Sequence, residues 1–216
     1  MLSHSTFPCE HDFQQALSAL KRGEIVAYPT ETFYGLAVDP ENDQAINSLY
    51  ELKRREAGKP ISLLVPNLEV LSTAVRYIPP PYEKLFSQFW PGPLTLVFPA
   101  HASVSSMLTA GGDTLAMRIS SNPVARHLCE LWGKSLTSTS ANRSGEKPFV
   151  TAGEVQDLWG NQLGCILDGG EVPGGKGSTI VHCSEKEKKC RILRPGVISA
   201  KSISQVLPLY DIICKS

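Results

Sequence analysis

The chain has 216 residues, enough for one large domain with a sizeable core, so no second core is required. Hydrophobic residues make up 42% and charged residues 19%, and no stretch reaches the length of a membrane span, which is typical of a soluble globular protein. The 21 basic and 21 acidic side chains cancel, which argues against broad nucleic-acid binding, because that needs an excess of Lys and Arg.

The first twelve residues lack the basic start and apolar run of a signal peptide, so we expect a cytoplasmic protein without membrane contact. The six cysteines contain no C-x-x-C pair, and we expect reduced thiols rather than a disulfide framework. His182, Cys183 and Cys190 supply at most three of the four ligands that a structural zinc needs. We therefore expect no resident metal.

The first predicted elements are a helix, a strand and a loop. Asp12 is the candidate N-cap of the helix and Gly23 its stop, with apolar residues at helical spacing at Phe13, Ala16, Leu17 and Leu20. The apolar run at 24–29 predicts a strand that stops at a proline, and a polar and aromatic loop follows at 30–35. The junction between such a strand and such a loop is a candidate ligand-binding site.

The second helical pattern ends in a basic cluster. It runs from Ile46 to Lys53, and Arg54 and Arg55 follow directly. Residues 58–60, Gly-Lys-Pro, separate this helix from a predicted strand at 61–65. The cluster therefore lies at a junction, where its charges either meet a ligand or complement the dipole at the helix end.

The rest of the chain alternates between short helices and short strands. A capping box of Thr151 with Glu154 predicts a helix that runs to Trp159. Further helices are expected at 68–75, 82–89 and 124–132, and strands at 94–98, 115–119, 165–167, 179–182 and 190–193. This mixture of βα units and hairpins predicts one α/β domain with a twisted sheet of mixed parallel and antiparallel strands and flanking helices.

Residues 135–145 form the stretch whose composition is most typical of a binding site. The run enters as an extended strand, and Ser140, Ala141 and Asn142 follow where the strand is expected to end. Hydroxyl, amide and backbone N–H groups at such a point can donate to phosphate oxygens. The alternative is a turn in which these side chains bond only to their own backbone.

Two arginines occupy unusual positions. Arg118 is flanked by apolar residues in a predicted strand, where a charged side chain is usually paired, either with a carboxylate of the protein or with a ligand. Arg194 precedes Pro195 and Gly196 at a sharp turn, where its guanidinium group can face a ligand.

Taken in order, these segments strongly resemble the YrdC family of L-threonylcarbamoyladenylate synthases. The resemblance runs from the first helix to the Arg-Pro-Gly turn and rests on Pro29-Thr30-Glu31-Thr32, Tyr34-Gly35, Lys53-x-Arg55, Trp90-Pro91-Gly92-Pro93, Arg118, Ser138-Thr139-Ser140-Ala141-Asn142, Ser178-Thr179-Ile180 and Arg194-Pro195-Gly196. A sister subfamily lacks the combined K-x-R and S-x-N signature, and this sequence has both. The resemblance implies a single YrdC-like domain over 1–216, with its core at about 10–200, and an open sheet around a concave, positive cavity.

The resemblance also implies an activity, with its substrates and partners. Members convert L-threonine, bicarbonate and ATP into threonylcarbamoyl-AMP and pyrophosphate for the N6-threonylcarbamoyladenosine modification of tRNA, which makes them nucleotidyltransferases. Mg²⁺ arrives with ATP, so no cage of carboxylates is required. A downstream tRNA threonylcarbamoyl transferase complex is the expected recipient of the product, and direct contact with RNA stays open.

Roles for individual residues follow from the same resemblance. Catalysis falls to Lys53, Arg55, Ser140 and Asn142. Contacts to ATP fall to the same four residues together with Ser138, Ser178 and Arg194. Contacts to threonine fall to Thr30, Tyr34, Arg118 and Ser178.

The sequence departs from the family pattern at two positions. Longer relatives carry Pro after K-x-R and His in the next strand, whereas Glu56 and Leu64 stand near those places here, which leaves part of the threonine-carboxylate site unassigned. The chain also ends soon after Arg194, as single-domain members do. Two other functions stay open: a binding module for double-stranded RNA or ribosome precursors, against which the neutral charge counts, and an ATP-binding regulatory protein without turnover.

Overall fold

The computed structural model describes residues 7–56 and 58–214. The strands are β1 (Val26–Pro29), β2 (Tyr34–Ala37), β3 (Ser62–Leu64), β4 (Leu94–Pro99), β5 (Thr114–Arg118), β6 (Leu136–Ser140), β7 (Cys165–Ile166), β8 (Thr179–Ser184), β9 (Lys189–Arg194) and β10 (Asp211–Cys214). The helices are α1 (Glu10–Lys21), α2 (Asp43–Lys53), α3 (Leu68–Ala74), α4 (Pro81–Phe89), α5 (Ser106–Thr109), α6 (Pro123–Trp132), α7 (Ala152–Trp159) and α8 (Ala200–Val206).

All ten strands form one sheet, in the order β10-β9-β8-β4-β5-β3-β6-β2-β1-β7. The pairs β1/β7, β3/β5, β4/β8 and β9/β10 are parallel. The pairs β1/β2, β2/β6, β3/β6, β4/β5 and β8/β9 are antiparallel. The predicted mixed sheet with flanking helices is confirmed.

The two faces of the sheet are covered unequally. On one face, buried residues of α2, α3, α4, α5, α7 and α8 join strand residues such as Ala27, Leu63 and Met117 in a large core. On the other face α1 and α6 are the helices of the described residues that contribute to a smaller core, together with Val26 and Leu136. Because strand side chains alternate between faces, the uncovered part of this second face is a concave floor.

Local sequence signals explain where two helices begin. Asp12, predicted as the N-cap of α1, instead lies at the third helical position, and its carboxylate accepts a hydrogen bond from the N–H of Cys9 (2.8 Å). That prediction was therefore wrong by three residues. The capping box of Thr151 and Glu154 is confirmed: the backbone N–H of each donates to the side chain of the other, at 3.0 and 3.3 Å.

Four elements were not predicted: β2, α5, α8 and β10. The first two residues of β2, Tyr34 and Gly35, were assigned to the polar and aromatic loop at 30–35. In the structure Gly35 pairs with Tyr28 of β1, and a Cβ there would lie 3.1 Å from the ring of that tyrosine. The glycine therefore serves close packing within the sheet rather than a turn.

The prediction that all six cysteines are reduced is wrong for one pair. Cys183 and Cys190 face each other across the β8/β9 hairpin, 4.0 Å apart at Cα, and form a disulfide. The free cysteines among the described residues are Cys9, Cys129, Cys165 and Cys214. The pairing depends on strand register, which the spacing of cysteines along the chain does not reveal.

Among the described residues, no helix is long and apolar enough to cross a membrane.

Candidate active site

The concave floor opens into a cavity of about 580 Å³. Eight of the ten predicted site residues line it: Thr30, Tyr34, Arg55, Arg118, Ser138, Ser140, Ser178 and Arg194. The other two, Lys53 and Asn142, lie outside the lining. Residues far apart in the chain are therefore brought together at one cavity.

Arg118, at the end of β5, is almost fully buried and is paired with a carboxylate of the protein. Its Nε lies 3.2 Å from Oε1 of Glu31, and the other carboxylate oxygen of Glu31 accepts a hydrogen bond from Ser120. The guanidinium Nη1 also donates to the hydroxyl of Ser178 (3.2 Å). Glu31 was not among the predicted site residues, although a carboxylate just beyond the end of the buried strand β1 is the signal that could have found it.

Arg194 comes from the end of β9 and turns its guanidinium group inward. Nε and Nη2 donate to the backbone carbonyl of Ser178 at 3.2 and 2.8 Å, and Nη2 also donates to its hydroxyl at 2.9 Å. Burial lowers the pKa of Arg194, and the nearby charges of Arg118 and Arg55 add to the effect. A Cβ at Gly196 would collide with the backbone of residues 177–179, so only glycine allows this turn to approach β8.

Arg55 lies at another wall of the cavity, in the segment between α2 and β3. Its Nε donates to the carbonyl of Lys59 (3.2 Å) and its Nη2 to that of Pro60 (2.9 Å). Burial lowers the pKa of Arg55. The local backbone thus fixes the guanidinium group before any ligand arrives.

Lys53, the last residue of α2, lies behind the cavity wall. It is 1% exposed, and its ammonium group donates to the carbonyls of Ser140 and Asn142, the second at 2.7 Å. Burial, with the nearby charge of Arg55, lowers the pKa of Lys53 to about 7. The two carbonyls act in the opposite direction because they favour the charged form. Lys53 therefore fastens the end of α2 to the turn after β6.

Asn142 is also committed to that turn. Its Nδ2 donates to the carbonyls of Arg143 (2.8 Å) and Glu146 (2.7 Å), and its Oδ1 accepts from the hydroxyl of Ser140 (2.6 Å). The arrangement matches the alternative stated from sequence, a turn whose side chains bond within the turn. Ser140 itself lines the cavity and belongs to β6, where it pairs with Gly35.

Thr30 and Tyr34 line the cavity, but their hydroxyl groups bond to the protein. Thr30 Oγ1 donates to the carbonyl of Phe33 (2.7 Å) and shapes the loop between β1 and β2. The Tyr34 hydroxyl donates to the carbonyl of Gly170 (2.8 Å) and so ties β2 to the glycine-rich loop at 169–177. Burial raises the pKa of Tyr34.

Leu64, which stands near the place where the resemblance leads us to expect His in longer relatives, is fully buried in the smaller core. Ser62, two residues earlier on the same face of β3, lines the cavity. The edge of the cavity thus falls between these two residues, and Leu64 is a packing position.

The charge of the cavity differs from that of the whole chain. Three arginines are among its described lining residues, and no Asp or Glu is. Apolar side chains, including Phe33, Val97, Ile180 and Leu193, make up another part of the lining. No cluster of three or more potential metal ligands exists within 7–56 and 58–214. Such a cavity suits a multiply charged anion that also has an apolar part.

A mixed sheet with a half-covered face and a cavity lined by three arginines defines an α/β protein whose cavity suits a small polyanionic ligand. The chain belongs to the Sua5/YciO/YrdC family, because the model of that family, described as "Telomere recombination", matches residues 18–196.

The chain is also similar to individual proteins of known name. It is 37% identical to a threonylcarbamoyl-AMP synthase from Vibrio campbellii over 187 residues, 86% of this chain and 99% of the relative. It is 35% identical to a threonylcarbamoyl-AMP synthase from Pyrococcus abyssi over 192 residues, 89% of this chain but 56% of the longer relative.

Two solved structures resemble the fold closely. Sua5 from P. abyssi complexed with L-threonine superposes with a TM-score of 0.87 at 34% identity, covering 93% of this chain and 58% of that one. YciO from E. coli gives a TM-score of 0.81 at 25% identity, covering 93% and 96%.

Proposed function

We propose that this protein is an L-threonylcarbamoyladenylate synthase, a cytoplasmic nucleotidyltransferase that makes threonylcarbamoyl-AMP and pyrophosphate from L-threonine, bicarbonate and ATP. The observation that carries the proposal is the cavity whose described lining contains three arginines and no carboxylate, in a chain whose relatives bear that name. The product serves the N6-threonylcarbamoyladenosine modification of tRNA and passes to a tRNA threonylcarbamoyl transferase complex.

The chemistry has two stages. The threonine amine attacks the carbon of bicarbonate, a C–N bond forms, and water leaves to give a carbamate. A carbamate oxygen then attacks the α-phosphorus of ATP. The new O–P bond forms as the bond from the α-phosphorus to the bridging oxygen breaks, and pyrophosphate leaves with the electron pair. Mg²⁺ enters as part of the Mg-ATP substrate.

The main difficulty of this reaction is negative charge, and the cavity residues address it. Arg55 and Arg194 bind the triphosphate, with Ser138 and Ser140 beside it, and fixed guanidinium groups stabilise the charge that moves onto pyrophosphate. Arg118 faces the threonine carboxylate. The volume of about 580 Å³ lies within the range of small-molecule sites.

In this proposal, several residues that were predicted to contact the substrates instead hold other parts of the cavity in place. Lys53 and Asn142 fix the turn that carries Ser140, and both were expected from sequence to touch ATP. Thr30 and Tyr34 shape the threonine side of the cavity through their bonds to Phe33 and Gly170. Catalysis then rests on placement of the substrates and on fixed charge, without a nucleophilic side chain.

The experiment that tests the proposal measures pyrophosphate release by purified protein with Mg-ATP. We expect release only when L-threonine and bicarbonate are both present, and an acyl-adenylate by mass spectrometry of promptly quenched samples. Serine lacks one methyl group and should react about ten- to two-hundredfold less efficiently. Release that ignores threonine contradicts the synthase. Strong, salt-sensitive binding of double-stranded RNA without turnover would favour the RNA-binding module instead.

A further inference from the structure

The hydroxyl group of Ser178 stands at the centre of the cationic part of the cavity. Three groups lie within hydrogen-bond distance of its Oγ: Nη1 of Arg118 at 3.2 Å, Nη2 of Arg194 at 2.9 Å and Oγ1 of Thr95 at 2.8 Å. Ser178 and Thr95 are 2% and 1% exposed. This buried oxygen thus joins two arginines that come from different strands.

The proton of this hydroxyl can be assigned by counting donors. A guanidinium group is always protonated and has no acceptor, so both arginines donate to Ser178 Oγ. A hydroxyl offers two lone pairs and one proton. With both lone pairs occupied by the arginines, the Ser178 proton points to Oγ1 of Thr95, which accepts it.

Thr95 is placed for this role by the sheet. Leu96 of β4 pairs with Met117 of β5, so Thr95, one residue earlier, lies beside Arg118. On the other side Thr95 pairs with Ile180 of β8. The cavity-facing side of β4 therefore presents one hydroxyl between Arg118, at the end of β5, and Ser178, which directly precedes β8. Thr95 is not among the residues that line the cavity.

We infer that Thr95 is a positioning residue of the active site: by accepting the Ser178 proton, it turns the Ser178 lone pairs toward Arg118 and Arg194 and so sets the distance between the two guanidinium groups. The inference deepens the proposed function and rests on it for the identity of the substrates. It assigns Ser178, whose hydroxyl was expected to contact ATP and threonine, a second task in holding the arginines.

The two arginines depend on this device to different degrees. Arg194 keeps two bonds to the Ser178 carbonyl even if the hydroxyl rotates away. Arg118 has the hydroxyl as its only hydrogen-bond acceptor among the described residues, beside its ion pair with Glu31. Loss of the Thr95 acceptor frees the Ser178 proton to rotate toward a guanidinium group. The partial positive charge of that proton repels the guanidinium groups. Arg118 is displaced more than Arg194, because Arg194 is still held by the Ser178 carbonyl.

The experiment compares variants that remove or keep the acceptor. Thr95→Val keeps the shape and removes the hydroxyl, and Thr95→Ser keeps the hydroxyl. Thr137→Val is the matched control, since Thr137 is a fully buried strand threonine whose hydroxyl bonds to the backbone of Leu36 and Val38. Ser178→Ala, alone and combined with Thr95→Val, completes the set. Each protein is assayed for melting temperature, kcat and the KM of each substrate.

We expect Thr95→Val to lower kcat/KM for L-threonine about five- to tenfold, mainly through KM, with a smaller effect on the KM of ATP. Thr95→Ser should restore it, and Thr137→Val should lower the melting temperature without this change. Because Thr95 acts through Ser178, the double variant should be no worse than Ser178→Ala alone. Equal KM values in Thr95→Val and the native protein, or additive losses in the double variant, overturn the inference.

A crystal structure of Thr95→Val separates this inference from the proposed function. We expect Ser178 Oγ to be rotated and Nη1 of Arg118 to lie beyond hydrogen-bond distance from it. An unchanged arrangement of Arg118, Ser178 and Arg194 overturns the positioning role whatever reaction the protein catalyses. Absence of threonine-dependent turnover in the native protein instead contradicts the proposed function, and the crystal structure still decides the role of Thr95.

Discussion

Replacing Lys53 by methionine should change how the stability of the protein depends on pH. Lys53 is 1% exposed, and burial lowers the pKa of its ammonium group from 10.5 to about 7. Between these two values the unfolded chain binds more protons at this residue than the folded chain. The free energy of unfolding therefore rises with pH across this interval, and the contribution is flat below it.

The magnitude follows from the size of the shift. One pKa unit corresponds to about 1.4 kcal/mol, so the slope contributed by Lys53 reaches at most about 1.4 kcal/mol per pH unit. The bonds to the carbonyls of Ser140 and Asn142 favour the ammonium form, which narrows the pH interval over which this slope applies.

The assay is urea unfolding of the native protein and Lys53→Met at pH 6, 7, 8 and 9, with the difference in unfolding free energy taken at each pH. Other titrating groups are common to both proteins and cancel in this difference. We expect the difference to shift in favour of the native protein from about pH 7 upward. A difference that stays constant, or that moves in favour of Lys53→Met as pH rises, would refute the reasoning about the buried ammonium group.

Three further predictions follow from other contacts. Arg55→Lys should lower kcat/KM by about one to two decades at unchanged melting temperature, because an ammonium group cannot hold two phosphate oxygens in a fixed fork; an unchanged rate removes Arg55 from the site. Asn142→Ala should lower the melting temperature by about 2–4 °C and raise the KM of ATP, since Ser140 loses its acceptor, and calorimetry and kinetics on one sample check both. Thiol titration in denaturant should find four of the six cysteines without reductant and six after reduction, and six in both cases contradicts the Cys183–Cys190 disulfide.

The strands and helices that sequence predicted well are those with their own local signals. The helix opened by Thr151 begins where its capping box places it. Strand β4 follows the Trp90-Pro91-Gly92-Pro93 turn as expected. Strand β2 was missed because its existence depends on pairing with β1 and β6, and Gly35 breaks its apolar pattern. Pairing between distant segments is a tertiary effect that a short window does not contain.

The candidate site shows a similar division. The resemblance identified the segments that meet, and eight of its ten residues line the cavity. It did not reveal which polar atoms are already used within the protein, as those of Lys53 and Asn142 are. Thr95 was not singled out, because a threonine in a strand has many uses, and its distance to Ser178 distinguishes it. Glu31 was named as part of a motif but received no role, and its distance to Arg118 supplies one.

The span of chain that encloses the cavity bears on how the protein gains its activity. Thr30 stands near one end of the site and Arg194 near the other, and both line the same cavity. Their strands, β1 and β9, lie near opposite edges of the sheet, with six strands between them. A nascent chain whose β9 has not yet left the ribosome therefore cannot form the site. A sheet that has lost the strands at either edge lacks one wall of the cavity. A sheet whose strand pairs join segments far apart in the chain, as β1 with β7 and β4 with β8 do, folds slowly. Substrate turnover should therefore appear during refolding only with the last, cooperative step.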